Sequence, residues 1–439
     1  MMLKQKLSNE VRIASRTIIH NFSRYLALVL LTLFSFAIAL SSLAIMNGML
    51  YSMHEKARVY YGGDLQFIGG NGSLNIYNSE ELTSRLEKIL ASHISIRSRI
   101  DYGAEYNKIL FFEGNSVSFR ILKGFDFSEN QDLFQYFNFL SGSFEEIQKD
   151  NGILISSAIA EKLQVTVGDS LTLYLQNFQK EINTTQVLVK GIFLDTSLFG
   201  MYSVYMDMEN FRNAINVPKD YINRIGLYFP RGKEPSRFEI ENIQKLLENE
   251  FGIEHIHPLS NDKDDFYAAM YKTKSRPYYA LIPLDANLKD LRQIIEAMKI
   301  IIYGLSTLLI IIVMIGISST YRVIIAKRVR EIGIYVSQGF SNRRISRIFL
   351  SEVIFIIITG FLAGILSAFA ISYFVSSLDF SSIPAFDLFL SNGSLLSRYS
   401  FMHTLVIFSS VFVTTLASVL FTIRKSIQID PAKALSNPE

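Results

Sequence analysis

The chain has 439 residues, of which 49% are hydrophobic and only 19% charged, where an ordinary soluble domain carries about 25% charge. Mean hydropathy is +0.24, so part of the chain is solvated by something other than water. The formal net charge of +3 argues against a nucleic-acid footprint over the whole chain, and the absence of cysteine excludes disulfides, thiolate metal sites and a lipid-modified cysteine.

The apolar excess sits in four blocks. Residues 1–24 form a basic, amphipathic leader with Lys4, Lys6, Arg12, Arg16 and Arg24, and Tyr25 to Met53 then carries no charge at all. Ile300 to Tyr321 and Val353 to Leu378 are equally free of charge, and Tyr399 to Ile423 holds His403 alone besides tyrosine. About 20 apolar residues cross a hydrocarbon core of roughly 30 Å as a helix, so each block is long enough to span. The predicted fold class is an α-helical membrane protein with four transmembrane helices and a large extracytoplasmic α/β domain between the first and second. The apolar run of the first block far exceeds a cleaved signal peptide, and a signal anchor is the better reading.

Lysine and arginine set the orientation. Arg322, Lys327, Arg328, Arg330, Arg343, Arg344 and Arg347 lie between the second and third spans, and Arg424, Lys425 and Lys433 follow the fourth. The connection at residues 379–398 has Asp379 and Asp387 against Arg398 alone. The positive-inside rule puts both termini and the basic loop in the cytoplasm and residues 54–293 outside.

Within the outer segment, Asn78 and Ser79 before Glu80 and Glu81 predict an N-capped amphipathic helix, and Ser236 with Glu239 predicts a capping box. Lys108 to Phe112 and Val117 to Leu122 read as a hairpin with a Gly114-Asn115 turn. Ser170 to Leu175 and Gln186 to Phe193 read as a second strand pair. Two helices bracketing a strand-rich middle imply a β-rich subdomain, roughly residues 100–215, inserted into an α/β frame. Glu254-His255-Ile256-His257 would put two imidazoles on one strand face, but no third metal ligand accompanies them.

From Leu288 the apolar spacing becomes helical and runs without a breaker into the second span, so residues 294–325 form a stalk continuous with the membrane helix. In residues 326–352, Gly339 reads as a helix C-cap and Ser341 or Asn342 as the next N-cap. That gives a short helix, a sharp turn and a basic amphipathic helix entering the third span, 353–378. A 379–398 loop, the fourth span at 399–423 and a 424–439 tail complete the chain. Gly360 and Gly364 form a small-xxx-small pattern suited to close helix approach.

Several stretches resemble the permease subunits of ABC transporters of the MacB, FtsX and lipoprotein-releasing (LolC/LolE) type. Arg330-Glu331-Ile332-Gly333-Ile334 followed by Gly339 is similar to that family's R-E-I-G-hydrophobic…G pattern, although Val336-Ser337-Gln338 replaces its usual Arg-Ala-Leu. Asp430-Pro431-Ala432-Lys433-Ala434-Leu435 matches its D-P-x-x-A-L ending, and Ala158 to Asp169 is similar to its outer-domain segment. Ala44-Ile45-Met46-Asn47-Gly48-Met49 is similar to the S-V-M-N-G-F segment of the lipoprotein-releasing branch.

The resemblance implies a non-enzymatic transport subunit in a bacterial inner membrane. It implies an ABC ATPase dimer and a second permease subunit, identical or paralogous, as partners. It further implies an acylated lipoprotein as substrate, membrane lipid around it and a periplasmic carrier as acceptor. The chain lacks a G-x-x-x-x-G-K-[ST] loop, so it cannot cradle nucleotide phosphates by a P-loop; no cofactor is expected in this chain, and ATP with Mg is expected on the partner ATPase. Arg330, Glu331, Gly333, Gly339, Arg343 and Arg344 would receive the ATPase stroke. Phe34, Phe36, Ile45, Met46, Asn47 and Met49 would face a substrate cavity. The alternatives are a MacB-like drug or peptide efflux permease with a separate ATPase, and an FtsX-like signalling protein that activates a cell-wall hydrolase.

Overall fold

The computed structural model describes residues 16, 20, 22–103, 106–134, 137–177, 180–195, 200–272, 276–383, 386–391 and 393–426. Most of the basic leader and the Asp430 to Leu435 ending lie outside the described residues. The chain divides into two compact units, one of residues 1–49, 296–378 and 395–439, the other of residues 50–295 and 379–394.

The first helix, α1 (Phe22–Tyr61), belongs to both units. It continues past its charge-free run because nothing breaks it before Gly62 and Gly63, whose φ angles of 93° and 102° suit glycine. The amides of both glycines turn back to the Arg58 carbonyl at 2.9 and 2.8 Å, closing the helix C-terminus.

The outer unit is built on one 12-stranded sheet. In chain order its strands are β1 (Leu65–Asn71), β2 (Ser95–Tyr102), β3 (Lys108–Phe112), β4 (Asn115–Ser118), β5 (Ile121–Phe125), β6 (Phe139–Gly142), β7 (Gly152–Ser156), β8 (Ser170–Gln176), β9 (Ile182–Phe193), β10 (Ser203–Asp207), β11 (Arg224–Tyr228) and β12 (Pro277–Pro283). Their spatial order is β12-β1-β11-β2-β5-β10-β7-β9-β8-β3-β4, with β6 paired to β9. β1, β2, β11 and β12 come from the two ends of the segment. The strands between Lys108 and Asp207 form a contiguous block that joins them through the β2–β5 pair. β7 and β10 are buried at every position, as expected of strands covered on both faces.

Helices α2 (Ser79–Ile89), α3 (Ser157–Leu163), α4 (Met208–Ile215), α5 (Arg237–Phe251) and α6 (Lys263–Lys272) accompany the sheet. One core gathers Leu82, Leu86, Ile159, Phe211, Ile243 and Leu247 from these helices with the strand residues Ile100, Leu122, Ile155 and Val204. A separate aromatic core holds Phe125, Phe127, Phe134, Phe193, Tyr205 and Tyr228. The helices start where local chemistry allows. Ser236 and Glu239 make the expected capping box on α5.

Three local details depart from the sequence reading. The Asn78 side chain makes no cap bond on α2; Asp220 Oδ1 instead accepts from the Glu80 amide at 3.0 Å and from the Ser79 hydroxyl. The hairpin turn is Glu113-Gly114, not Gly114-Asn115, since Phe112 pairs with Asn115 and the two turn residues take φ angles of 45° and 89°. Both angles are positive, as a tight two-residue hairpin requires. The strand expected to run to Leu122 ends at Ser118, and Ile121–Phe125 departs to pair with β2 and β10.

In the membrane unit, four helices are long and apolar enough to span among the described residues: α1, α7 (Lys289–Lys327), α9 (Asn342–Ser376) and α10 (Phe401–Ser426). A short helix, α8 (Val329–Ser337), precedes α9. The uninterrupted α7 begins one residue past Leu288, as its spacing predicted. α1 is the most buried of the four. A Cβ at Gly360 would come within 1.9 Å of Thr32 Oγ1, and one at Gly364 within 2.7 Å of Phe36 Cβ, so both glycines admit α1 against α9. Gly316 of α7 receives Leu31 in the same way.

Candidate functional site

Residues 326–352 fold as the sequence predicts. α8 stops at Ser337 with Gln338 as its C-cap, one residue before the expected Gly339, whose left-handed φ of 78° makes the turn, and Ser341, extended, opens α9. The turn is braced by the Tyr335 and Phe340 rings, 5.3 Å apart, and by the Arg344 guanidinium 4.1 Å from the Phe340 ring. Arg330, Glu331, Gly339 and Arg343 are exposed, Arg344 is half-buried, and Gly333 is buried with Ile332 on the inner face of α8. The structure thus presents a compact, basic helix-turn-helix surface with a firm inner face.

That firmness comes from a cluster the sequence reading passed over. Arg328, between α7 and α8, is buried, and its Nη1 donates to both carboxylate oxygens of Glu352 at 2.8 Å. Glu352, on α9, is fully buried and also accepts from the Tyr25 hydroxyl of α1 at 3.1 Å and the Tyr321 hydroxyl of α7 at 3.0 Å. Arg328 Nε donates to Glu331 of α8 at 2.7 Å. Burial works against the charge on Arg328, but the two carboxylates more than offset it and hold the guanidinium protonated. A buried ion pair is tolerable only when its remaining polar capacity is met, and here two tyrosines and a third charge meet it. One signal was available: Glu352 is the only carboxylate between Glu331 and Asp379 and stands at the edge of an apolar run.

At the other end of the bundle, Asn47 Nδ2 donates to the Arg398 carbonyl at 3.4 Å and meets His403 Nδ1 at 3.2 Å, with the Tyr303 ring edge-on to His403. Gly48 touches the Leu396 carbonyl so closely that a Cβ would sit 1.9 Å from it. The Met46-Asn47-Gly48 segment therefore docks α1 onto the connection before α10. Met46 and Phe36 are buried; Phe36 sits edge-on to Phe361 and lines a small apolar crevice with Leu309, Val313 and Ile407. Phe34 is exposed and Ile45 and Met49 are half-exposed. Phe34 belongs to a stripe of exposed side chains, Leu26, Leu30, Phe34 and Ile38, at a four-residue spacing that keeps them on one face of α1.

Residues 28–239 match the family model of the MacB-like periplasmic core domain, and residues 303–431 match that of the FtsX-like permease C-terminal domain. The chain belongs to the MacB/FtsX family of ABC-type permeases. The two matches take up, in order, α1 with most of the outer unit and the later spans, which is the architecture described above. Permeases of this family work with ABC ATPase partners. No curated protein matched the chain. The crystal structure of a domain of a permease protein from Porphyromonas gingivalis is similar at 15% identity over 50% of this chain and 87% of that one, with a TM-score of 0.30, a likeness too slight to add to the assignment.

The two histidines of the outer unit have other company. His255 lies in a one-turn 3-10 helix, Ile253–His255, rather than in a strand, and its Nδ1 meets the Pro277 carbonyl at 2.7 Å. His257 Nδ1 meets the Tyr278 hydroxyl at 2.9 Å, and burial lowers its pKa. No cluster of three potential metal ligands occurs among the described residues.

Proposed function

We propose that this permease draws acylated lipoproteins from the outer leaflet of a bacterial inner membrane and passes them to a periplasmic carrier. A separate ATPase dimer would drive it from the cytoplasmic side, where both termini and the α8–α9 turn would lie. The observation that carries this reading is the apolar stripe on α1, Leu26, Leu30, Phe34 and Ile38, with Ile45 and Met49 in line beyond it. Each acyl CH₂ taken from the bilayer costs about 0.8 kcal/mol, so a lipid-modified substrate needs both an apolar shelter and an energy source. A second permease subunit facing this stripe would complete the shelter, with Phe34, Ile45 and Met49 offered to the chains and Phe36 and Met46 serving as packing behind them. The Met46-Asn47-Gly48 resemblance supports the lipoprotein-releasing branch over the efflux and signalling branches.

Two experiments test the reading. Proteoliposomes holding the permease, its ATPase and an acylated protein should release that protein when ATP and a carrier are supplied. No release under those conditions sinks the lipoprotein proposal and favours efflux of soluble compounds or hydrolase signalling. Charge reversal at Arg343 and Arg344 should weaken co-purification of the ATPase, and unchanged co-purification removes the α8–α9 turn as its docking surface.

A further inference from the structure

α7 is the obvious lever between the basic turn and the outer unit, since one uninterrupted helix reaches from Lys289 to Lys327. The Arg328 cluster opens a second route, through α1. A single guanidinium bonds Glu331 on the exposed face of α8 through Nε and, through Nη1, Glu352 on α9 and the Tyr25 hydroxyl of α1 at 3.3 Å. The Arg328 guanidinium also lies over the Phe349 ring, 4.8 Å from its centroid, a cation–π contact. Tyr25 stands in the first turn of α1, and both the guanidinium and the carboxylate reach it through side chains that can change partners without unfolding a helix. The last turn of the same helix is fastened differently. Arg99 donates to the Val59 and Tyr60 carbonyls at 2.8 and 2.6 Å, and Lys123 to the Tyr60 carbonyl. These bonds go to the backbone of α1 from strands β2 and β5, so α1 is fixed to the outer unit as part of its core.

We propose that Arg328 is a positioning residue that relays movement of α8 to α1, so that the α1 rod, fixed in the outer unit, moves with the ATPase stroke. When α8 is displaced, Glu331 pulls on Arg328, and the guanidinium shifts the Glu352–Tyr25 pair that holds the first turn of α1. The relay rests on the coupling role proposed for α8, and the test separates the two.

The chain has no cysteine, so Ile38→Cys on α1 and Leu366→Cys on α9, both exposed, give a clean site pair for nitroxide labels. Distances are measured in nanodiscs on the complex with its ATPase, with and without a non-hydrolysable ATP analogue. The unaltered relay should show a nucleotide-dependent change in the distance distribution. Tyr25→Phe removes one hydroxyl and should cut that population shift about fivefold, the worth of one hydrogen bond, with ATPase co-purification unchanged. Arg328→Lys, which keeps the charge and loses the fork, should fall between. A packing role alone would lower thermal stability and leave the shift intact. The relay is overturned if Tyr25→Phe and Arg328→Lys keep the full shift, if α1 does not move on nucleotide binding, or if the shift falls only in step with loss of the ATPase. Failure of the α8 docking surface would appear separately, as retained ATPase binding after charge reversal at Arg343 and Arg344.

Discussion

Two buried charge clusters hold α1, one near each end, and they are built on opposite plans. In the outer unit, Asp101 is surrounded by Arg99 at 2.7 Å, Arg224 at 3.0 Å and Lys123 at 3.8 Å, and the surplus cations spend their donors on the terminal carbonyls of α1. Arg58 and Asp64 add a second pair at 2.9 Å, each also bonded to the Phe229 backbone. In the membrane unit, one arginine and one glutamate are satisfied by the side chains of Tyr25, Tyr321 and Glu331. The first plan neutralises a helix C-terminus, where cations are favoured, and cannot be undone without exposing backbone. The second can exchange partners at the cost of side-chain bonds alone. The contrast separates an anchor from a joint.

The sharpest way to break this contrast is at Arg99. Arg99→Met strips two carbonyls and the main partner of Asp101 at once, and we expect a loss of about 3–5 kcal/mol in chemical denaturation. The paired change Arg99→Met with Asp101→Leu should recover only part of it, because the Val59 carbonyl loses its Arg99 donor and the Tyr60 carbonyl keeps Lys123 alone. In the membrane unit, Arg328→Met alone leaves Glu352 buried and charged and should cost a similar amount, about 3–5 kcal/mol. Here Arg328→Met with Glu352→Leu should restore most of the stability, since replacing both members of a buried pair by apolar groups is often close to neutral. Full recovery in the outer pair, or none in the membrane pair, would erase the distinction between anchor and joint.

A smaller effect is expected where α1 meets α9. Gly364→Ala places a methyl 2.7 Å from Phe36 Cβ and 3.1 Å from the Leu33 carbonyl, too close to fit without moving α1. The loss should be about 1–3 kcal/mol, the range for overpacking. A Cβ at Gly304, on α7, would have nothing within 4 Å, and Gly304→Ala should leave thermal unfolding in detergent unchanged or slightly improved by helix propensity.

What the sequence made legible was what neighbouring residues decide together. Charge-free runs announced the spans, and left-handed Gly339 and the Ser236–Glu239 box announced helix ends, because their partners lie within a turn. What it hid was chemistry closed by distant residues. Asp220 caps α2 from 140 positions away, Arg99 and Lys123 have no local pattern that marks them as buried, and Arg328 reads as positive-inside charge until the fold buries it. The candidate substrate face was legible as an apolar helix but not as a direction around it. Only packing shows that Phe34 is exposed while Phe36, two residues on, is wedged against Gly364.

The finest test of the anchor uses pH. Burial alone would raise the Asp101 carboxyl, but Arg99, Lys123 and Arg224 hold it down at about 2, below the usual carboxylate range. A carboxylate whose folded pKa is depressed contributes stability that is complete above its unfolded pKa and is lost as pH falls toward the folded one. Asp101 should therefore contribute about 2 kcal/mol at neutral pH and give it up between about pH 4 and pH 2. Asp64, in the neighbouring pair, has the opposite sign: burial raises it in spite of Arg58 and the Phe229 amide, so the folded state takes up its proton first and gains stability as pH falls. Hydrogen exchange of the β2 amides, followed down the acid range, reads both. Asp101→Asn should flatten the acid loss of protection, whereas Asp64→Asn should leave it as steep or steeper. If the two variants behave alike, the outer cluster is a general reservoir of charge and its cations are not organised around Asp101 and the end of α1.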